Sequence, residues 1–327
     1  MKHFDIIIIG GGPIGIACGL EAKKKELSYL IIEKGCLVNS LYHYPVNMQF
    51  FSSSELLELD NIPFISKENK PRRSEALEYY RRVTTTNVLN IHLFETVLSS
   101  TKNNEGLFEV GTSKDNYTAK DIIVATGFYD IPNPLNIPGE SLAKVSHYYT
   151  DPHYYAGMDV VVVGASNSSV DAALECYRKG ANVTMVIRDK EISSHVKYWV
   201  KPDIENRIAE GSITALFNST ITEIMDNSIL INVKGEEVTI KNDFVLALTG
   251  YRPNFVFLEQ LGVTISTDEN RTPTYNTETM ETSVSNLYLA GVVCGGLNTH
   301  TWFIENSRIH AVTILNHIFS KYRYRRF

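Results

Sequence analysis

The sequence predicts an α/β protein built from two three-layer domains, the second inserted in the first. Two fingerprints about 150 residues apart carry this prediction, one at residues 5–15 and one at residues 159–169. Each is a run of apolar, mostly β-branched residues that ends at glycine and leads into a helical stretch. A strand, a glycine-rich turn and a helix in this order are typical of a Rossmann-like nucleotide-binding unit. Two such units favour a protein that passes electrons between two dinucleotides.

The elements of the first domain follow in order. The apolar run at residues 4–9 predicts a buried parallel strand, because it lacks the alternation of a half-exposed strand. Pro13 suits the first turn of a helix that continues to about Lys25, since that position needs no amide hydrogen. Residues 29–33 predict the second strand of the unit. The next segment, 34–70, is rich in Ser, Asn, Pro and aromatic residues, and we expect a long functional loop there.

Regular structure resumes after this loop. We expect a helix from Pro71 to about Thr86. Strands are predicted at four further runs of apolar and β-branched residues, namely 89–94, 96–100, 107–112 and 121–127.

A linker marked by prolines and glycine at residues 132–139 leads into the second domain. Its strand begins at Asp159, and its helix holds residues 170–179. The later elements are expected at 183–188, 213–217, 220–225, 228–233, 236–240, 243–250, a final strand 287–291 and a final helix 302–320. The first domain would comprise residues 1–128 and 251–327, and the second residues 130–250.

Composition limits the class of protein. The 327 residues carry a net charge of −6, which does not favour nucleic acid as a partner. No run approaches the roughly 18 apolar residues of a membrane span, and Met1 leads directly into a strand, so we expect neither a membrane segment nor a signal peptide. The four cysteines form no CxxC pair, which suits free thiols in the cytoplasm. The sequence predicts no metal site, and we expect a homo-oligomer.

The first fingerprint predicts an FAD site. Gly10 permits the tight turn, Gly12 lets a pyrophosphate approach the backbone, and Gly15 lets helix and strand pack closely. The helix N-terminus offers amide donors to the phosphates. Glu33, at the end of the second strand, can accept hydrogen bonds from ribose hydroxyls and would repel a 2′-phosphate. This site therefore favours FAD or NAD over NADP.

The second fingerprint predicts an NADPH site. Gly164 keeps its place, while Ser166 and Ser169 replace the second and third glycines. Arg188 occupies the position that Glu33 holds in the first unit. A guanidinium there can bind a 2′-phosphate through two hydrogen bonds, and Lys190 can add charge.

With these residues placed, the whole chain resembles the thioredoxin-reductase-like members of the pyridine-nucleotide-disulfide oxidoreductase superfamily. More narrowly it resembles the bacillithiol disulfide reductase family. The narrower match rests on motifs that lie partly outside the fingerprints: Gly10–Pro13, Leu30–Gly35, Tyr44–Pro45, Phe50–Ser54, Lys70–Arg73, Ala125–Gly127, Asn167–Ser168, Gly250–Tyr251 and Phe303–Asn306. The resemblance implies an FAD-containing, NADPH-dependent enzyme that reduces a low-molecular-weight thiol disulfide.

The resemblance also extends the two predicted cofactor sites. On the FAD side it adds Pro13, Lys34, Thr126, Gly127, Gly291, Val292 and Trp302. On the NADPH side it adds Asn167, Ser168 and Gly250.

Two departures from the relatives concern the thiols. The second domain lacks the CxxC of thioredoxin reductases, and Ile14 stands where the narrower family has been linked to a cysteine. An isoleucine can be neither a nucleophile nor a mixed-disulfide partner. Cys294, which follows the turn after the last strand, is a candidate redox thiol, and His300 is a candidate proton donor. Cys18, Cys36 and Cys176 are expected to be structural.

Three functions stay open at this point. The first is reduction of a low-molecular-weight disulfide, which the family resemblance favours and Ile14 weakens. The second is the same flavin chemistry with ferredoxin, flavodoxin or a quinone as acceptor. The third is a non-enzymatic dinucleotide sensor, which two sites of different preference disfavour.

Overall fold

The computed structural model describes residues 1–324, and these divide into two compact units. The first unit contains Met1–Tyr44, Met48–Ile131 and the described residues from Arg252 onward. The second contains Pro45–Asn47 and Pro132–Tyr251.

The first unit is built on a seven-stranded sheet. Its strands are β1 (Lys2–Ile9), β2 (Tyr29–Ile32), β3 (Ile91–His92), β4 (Val97–Lys102), β5 (Phe108–Thr112), β6 (Asn116–Val124) and β17 (Leu287–Leu289). They lie in the order β3-β2-β1-β6-β5-β4, and β17 also pairs with β6. Its helices are α1 (Pro13–Lys24), α2 (Asn39–Tyr42), α3 (Arg73–Thr86), α6 (Phe255–Gln260), α7 (Ile304–Ser307) and α8 (Ile309–Tyr324), with 3-10 turns at Glu55–Leu57 and Val292–Gly295.

The central strands of this sheet are buried on both faces. Ile6, Ile7 and Ile8 of β1 have no exposed surface, in keeping with a run of apolar residues without alternation. The long strand β6 changes partner along its length. Its first half pairs antiparallel with β5 and its second half pairs parallel with β17. As a result β1, β6 and β17 end side by side.

The second unit contains two sheets. Its strands are β8 (Val145–Ser146), β9 (Asp159–Val163), β10 (Asn182–Ile187), β11 (Thr214–Phe217), β12 (Ser219–Met225), β13 (Ser228–Val233), β14 (Glu236–Lys241) and β15 (Phe244–Ala247). The larger sheet is parallel and has the order β11-β10-β9-β15-β8. A separate antiparallel sheet has the order β12-β13-β14. The helices are α4 (Asn167–Arg178) and α5 (Lys201–Ala209), with a 3-10 turn at Pro152–Tyr155. Short strands β7 (Ile131–Pro132) and β16 (Tyr251–Arg252) lie where the chain passes between the units.

The structure corrects three of the predicted elements. The strand expected at 89–94 is only Ile91–His92, and the segment 34–70 contains α2 and a 3-10 turn. The final helix expected at 302–320 is two helices, α7 and α8, separated at Arg308. Arg308 keeps helical dihedral angles, and Ala311 N donates to Arg308 O, so the interruption is a local tightening of the hydrogen bonds.

No helix among residues 1–324 is both long and apolar enough to cross a membrane. Within the same residues, no group of three or more His, Cys, Asp or Glu side chains is placed to hold a metal ion.

Candidate active site

The first fingerprint lies at the carboxyl edge of the seven-stranded sheet. Gly10 has φ +111°, and a Cβ on it would lie 2.4 Å from Ala125 O, so only glycine fits the turn. A Cβ on Gly15 would lie 1.9 Å from Gly10 O, which explains why helix α1 needs glycine there. A Cβ on Gly12 would meet nothing within 4 Å. The space beside Gly12, at the start of α1, is where a phosphate can approach the backbone.

Glu33 follows β2 directly and is 6% exposed. Its carboxylate accepts hydrogen bonds from Gly11 N at 2.6 Å and from Gly35 N at 2.9 Å. Burial raises the pKa of Glu33, and these two backbone hydrogen bonds oppose that rise. Each carboxylate oxygen has two lone pairs, so both oxygens can still accept from a ribose hydroxyl.

Lys34, Thr126 and Gly127 border the same edge. The Lys34 ammonium forms an ion pair with Asp130 at 2.8 Å. A Cβ on Gly10 would lie 3.3 Å from the Thr126 Cα, so the turn after β6 packs on the first fingerprint. Gly127 has φ +72°, and a Cβ there would meet nothing within 4 Å.

The turn after β17 also lies at this edge. Ala290 N donates to Val124 O at 2.9 Å, and Gly291 follows with φ +87° and ψ −156°. A Cβ on Gly291 would lie 3.2 Å from Ile14 Cγ1, so Ile14 packs against this turn. Val292 then begins the 3-10 turn Val292–Gly295.

Behind this turn lies a buried group of side chains. Cys294 is 1% exposed and His310 is 3% exposed. Gly291 N donates to His310 Nδ1 at 3.1 Å, and Cys294 Sγ lies 4.0 Å from the same nitrogen. Trp302 meets the His310 ring edge-on, with 4.5 Å between ring centroids.

The two catalytic candidates differ in access. Burial raises the pKa of the Cys294 thiol, so the thiolate that attacks a disulfide is disfavoured there. His300 is exposed in the loop before α7, and its backbone N donates to Asn298 Oδ1 at 3.3 Å. α7 itself spans only four residues.

The pKa values of the remaining thiols are raised as well. Cys18 and Cys176 are buried, and Cys36 is half-buried. Burial raises the pKa of all three, that of Cys176 to about 12. All four cysteines are free thiols.

The second fingerprint lies at the carboxyl edge of the five-stranded sheet. Gly164 has φ +122°, and a Cβ on it would lie 2.8 Å from Leu248 O. Ser166 is the N-cap residue of α4. Ser169 is buried, and its hydroxyl donates to Ser166 O at 2.9 Å. Serine is thus accommodated in the third glycine position because its hydroxyl is satisfied within the turn. Ser168, beside it, is exposed.

Asn167 fixes the loop that follows β10. Its Nδ2 donates to His195 O at 2.9 Å, and its Oδ1 accepts from Lys197 N at 2.9 Å. Lys197 also pairs with Asp171 of α4 at 2.8 Å. The predicted cofactor residue Asn167 therefore ties the loop to the start of α4.

Arg188 follows β10 directly, as Glu33 follows β2. Its side chain is 84% exposed, and its Nε lies 3.9 Å from Asp189. The Lys190 side chain is similarly exposed, with its ammonium 3.9 Å from Glu191. Gly250, with φ +89°, lies in the turn after β15, where its carbonyl accepts from Asn133 N at 2.9 Å.

Sequence reasoning missed two residues of these sites. A Cβ on Gly11 would lie 2.8 Å from the Glu33 Cβ, so this glycine makes room for the acid. The second is His310. The signal in the sequence is its place on the apolar face of a helix, four residues before Ile314 and eight before Ile318.

Comparison with known proteins bears on both units. The family model for pyridine nucleotide-disulphide oxidoreductases matches residues 7–291. Bacilliredoxin reductase Bdr of Bacillus subtilis is 45% identical over 305 residues, which cover 93% of this chain and 94% of that protein.

Two solved structures are similar over the whole chain. Bacillithiol disulfide reductase Bdr of Staphylococcus aureus gives a TM-score of 0.95 at 42% identity and covers 98% of this chain and 99% of its own. The Bacillus cereus protein of the same name gives a TM-score of 0.95 at 44% identity and covers 98% of this chain and 100% of its own. The predicted fold class and the resemblance stated from the sequence are confirmed. This chain is an enzyme of the pyridine nucleotide-disulphide oxidoreductase family.

Proposed function

We propose that the enzyme is an FAD-containing, NADPH-dependent reductase of a low-molecular-weight thiol disulfide of the bacillithiol disulfide class. In the balanced reaction NADPH, one proton and the disulfide give NADP⁺ and two thiols, so two electrons pass to the sulfur–sulfur bond. The names of the similar Bacillus and Staphylococcus proteins support this choice of substrate.

The observation that carries the proposal is the opposite charge at two equivalent positions. Buried Glu33 follows the second strand of one strand–turn–helix–strand unit, and exposed Arg188 follows the second strand of the other. A buried carboxylate excludes a 2′-phosphate by charge repulsion, whereas an exposed guanidinium binds it. The two units therefore suit two different dinucleotides.

The residues of the first unit fit FAD. Space beside Gly12 and Gly127 would admit the pyrophosphate to the backbone, and Glu33 would hold the adenosine ribose. When bound, FAD supplies the two-electron chemistry that links nicotinamide oxidation to disulfide reduction. Pro13, Lys34, Thr126, Gly291, Val292 and Trp302 would complete that site.

The residues of the second unit fit NADPH. Arg188 and Lys190 would bind the 2′-phosphate, and Gly164, Ser166, Ser168 and Gly250 would line the dinucleotide. Asn167 and Ser169 would act indirectly, because their side chains are engaged within the loop and the turn.

We further propose that no thiol of the protein takes part in the transfer of electrons to the disulfide. Ile14 replaces the family cysteine, and Cys18, Cys176 and Cys294 are buried with raised pKa values. The pKa of the half-buried Cys36 is raised as well. His300 would serve as proton donor in this scheme.

The lack of a redox thiol also supports a second candidate function. A reductase without a redox cysteine suits an acceptor that takes electrons without thiol exchange, such as ferredoxin, flavodoxin or a quinone. Because the pKa values of all four thiols are raised, an acceptor of this kind is favoured over one that needs a mixed disulfide with the protein.

The acceptor is tested by NADPH oxidation under anaerobic conditions. Bacillithiol disulfide, ferredoxin and a quinone are offered separately to the wild type, Cys36→Ser and Cys294→Ala. The proposal predicts turnover with the disulfide at similar rates in all three proteins. Turnover with ferredoxin or quinone alone would establish the second candidate. A Cys294→Ala variant that folds but no longer reduces the disulfide would restore that thiol to the mechanism.

A further inference from the structure

His310 is the second residue of α8, and its side chain is buried in the first unit. The residue is 3% exposed, and Cys294 and Trp302 contact its ring. Nothing in the proposed reaction uses it so far. A buried polar side chain on an otherwise apolar helix face calls for a specific partner.

That partner is the backbone amide of Gly291. The distance from Gly291 N to His310 Nδ1 is 3.1 Å, and both atoms are buried. An amide N–H only donates, so Nδ1 must accept, and in the neutral ring the proton sits on Nε2. Burial keeps the imidazole neutral, because it lowers the pKa of His310 to about 4.

The hydrogen bond lies where β17 leaves the sheet. Ala290 N still bonds to Val124 O of the neighbouring strand, whereas the next amide, Gly291 N, bonds to the imidazole. Gly291 also adopts a backbone conformation that is essentially restricted to glycine. A buried amide without an acceptor is destabilising, so this turn depends on the histidine.

The turn lies at the edge where a ligand would bind. β17 pairs with β6 and β6 with β1, so Gly291 is at the same carboxyl edge as Thr126 and Gly10. Ligands of open α/β sheets bind in the crevice outside these carboxyl ends. The conformation of the Gly291–Val292 turn therefore shapes one wall of the crevice.

We propose that His310 is a positioning residue that holds the Gly291–Val292 turn in the shape that receives the flavin, through the hydrogen bond accepted by Nδ1. This inference rests on the proposed function, since it requires FAD in the first unit. The ring itself need not touch the cofactor, because it acts through the backbone of Gly291.

The test compares two substitutions of His310. In His310→Asn the side-chain carbonyl replaces Nδ1 as acceptor, whereas His310→Leu removes the acceptor and keeps an apolar side chain of similar size. His317→Leu is the matched control, since this half-buried histidine of the same helix bonds to Glu281 instead. The readouts are the dissociation constant of FAD, from titration of protein stripped of flavin, and the visible spectrum of the bound flavin.

We expect His310→Leu to weaken FAD binding at least tenfold and to shift the flavin spectrum. His310→Asn should stay within about threefold of the wild type, and His317→Leu should bind FAD normally. A folded His310→Leu with wild-type affinity and spectrum would overturn the inference. If His310→Leu does not fold, a folded His310→Asn with lost affinity would overturn it equally. A wild type that binds no FAD would instead overturn the proposed function.

Discussion

Ile14 packs against Gly291, and a Cβ on that glycine would lie 3.2–3.5 Å from three carbons of the isoleucine. Ile14 thus packs against the turn whose amide is bonded to His310. The contact at this position is apolar.

This contact predicts the behaviour of Gly291→Ala. Both the positive φ and the approach of Ile14 oppose a side chain, so we expect a loss of at least about 2 kcal/mol in the free energy of unfolding. Urea unfolding measures it in a Trp199→Phe background, where Trp302 of the first unit is the remaining tryptophan. Adding Ile14→Ala should recover the steric part only. Strictly additive losses in the double variant would show that the two residues do not compete for space.

Arg188→Ala should weaken the binding of NADP⁺ and leave the binding of NAD⁺ unchanged. Loss of a charge-assisted contact to the 2′-phosphate is expected to cost about 1.5–3 kcal/mol, which raises the dissociation constant of NADP⁺ more than tenfold. The dissociation constant of NAD⁺ should not change. Arg178→Ala, which removes an exposed arginine paired with Asp203, is the control in titration calorimetry. An unchanged preference for NADP⁺ in the Arg188 variant would refute the assignment.

Glu33→Ala should purify with little or no flavin. The substitution leaves the amides of Gly11 and Gly35 without their acceptor and removes the proposed ribose ligand. Glu95→Gln is a matched control, because Glu95 is equally buried in the first unit but binds Thr112 and Tyr117. The FAD-to-protein ratio after gel filtration gives the result. Normal flavin content in Glu33→Ala would remove this residue from the site.

Because His310 is buried in its neutral form, we expect the free energy of unfolding to fall in acid. Below about pH 6.5 the unfolded chain protonates this histidine, whereas the folded protein does not until about pH 4. The unfolded state then binds more protons, so the free energy of unfolding falls as the pH drops through this window. The loss reaches about 3 kcal/mol. Cys294, the thiol that faces the ring, stays neutral throughout because burial raises its pKa.

The comparison that isolates this effect is wild type against His310→Asn between pH 7 and pH 4. The stability advantage of the wild type should shrink as the pH falls, and thermal midpoints measured at each pH report it. Parallel curves for the two proteins would mean that His310 is not a buried neutral base.

The sequence was sufficient to predict the site residues wherever a site is built from elements that follow one another in the chain. Glu33 and Arg188 could be placed because each follows a strand at a fixed distance from its glycine turn, and local geometry sets that distance. The requirement for glycine at positions 10 and 15 could be predicted in the same way, since it arises within one strand–turn–helix.

Contacts between distant segments could not be predicted in the same way. The bond from Gly291 to His310 joins a strand end to a helix face 19 residues later, and only the packed fold brings them together. The role of Asn167 depends on a loop 28–30 residues away. The break at Arg308 was hidden because its backbone remains helical and the apolar pattern continues through it.

The most direct test of the central claim is anaerobic treatment of the purified protein with NADPH and with NADH, followed by stopped-flow measurement of the visible flavin absorbance. Two sites of opposite charge predict rapid bleaching by NADPH, much slower bleaching by NADH, and return of the colour when bacillithiol disulfide is added. Equal rates with the two nucleotides, or a protein that holds no flavin, would contradict it.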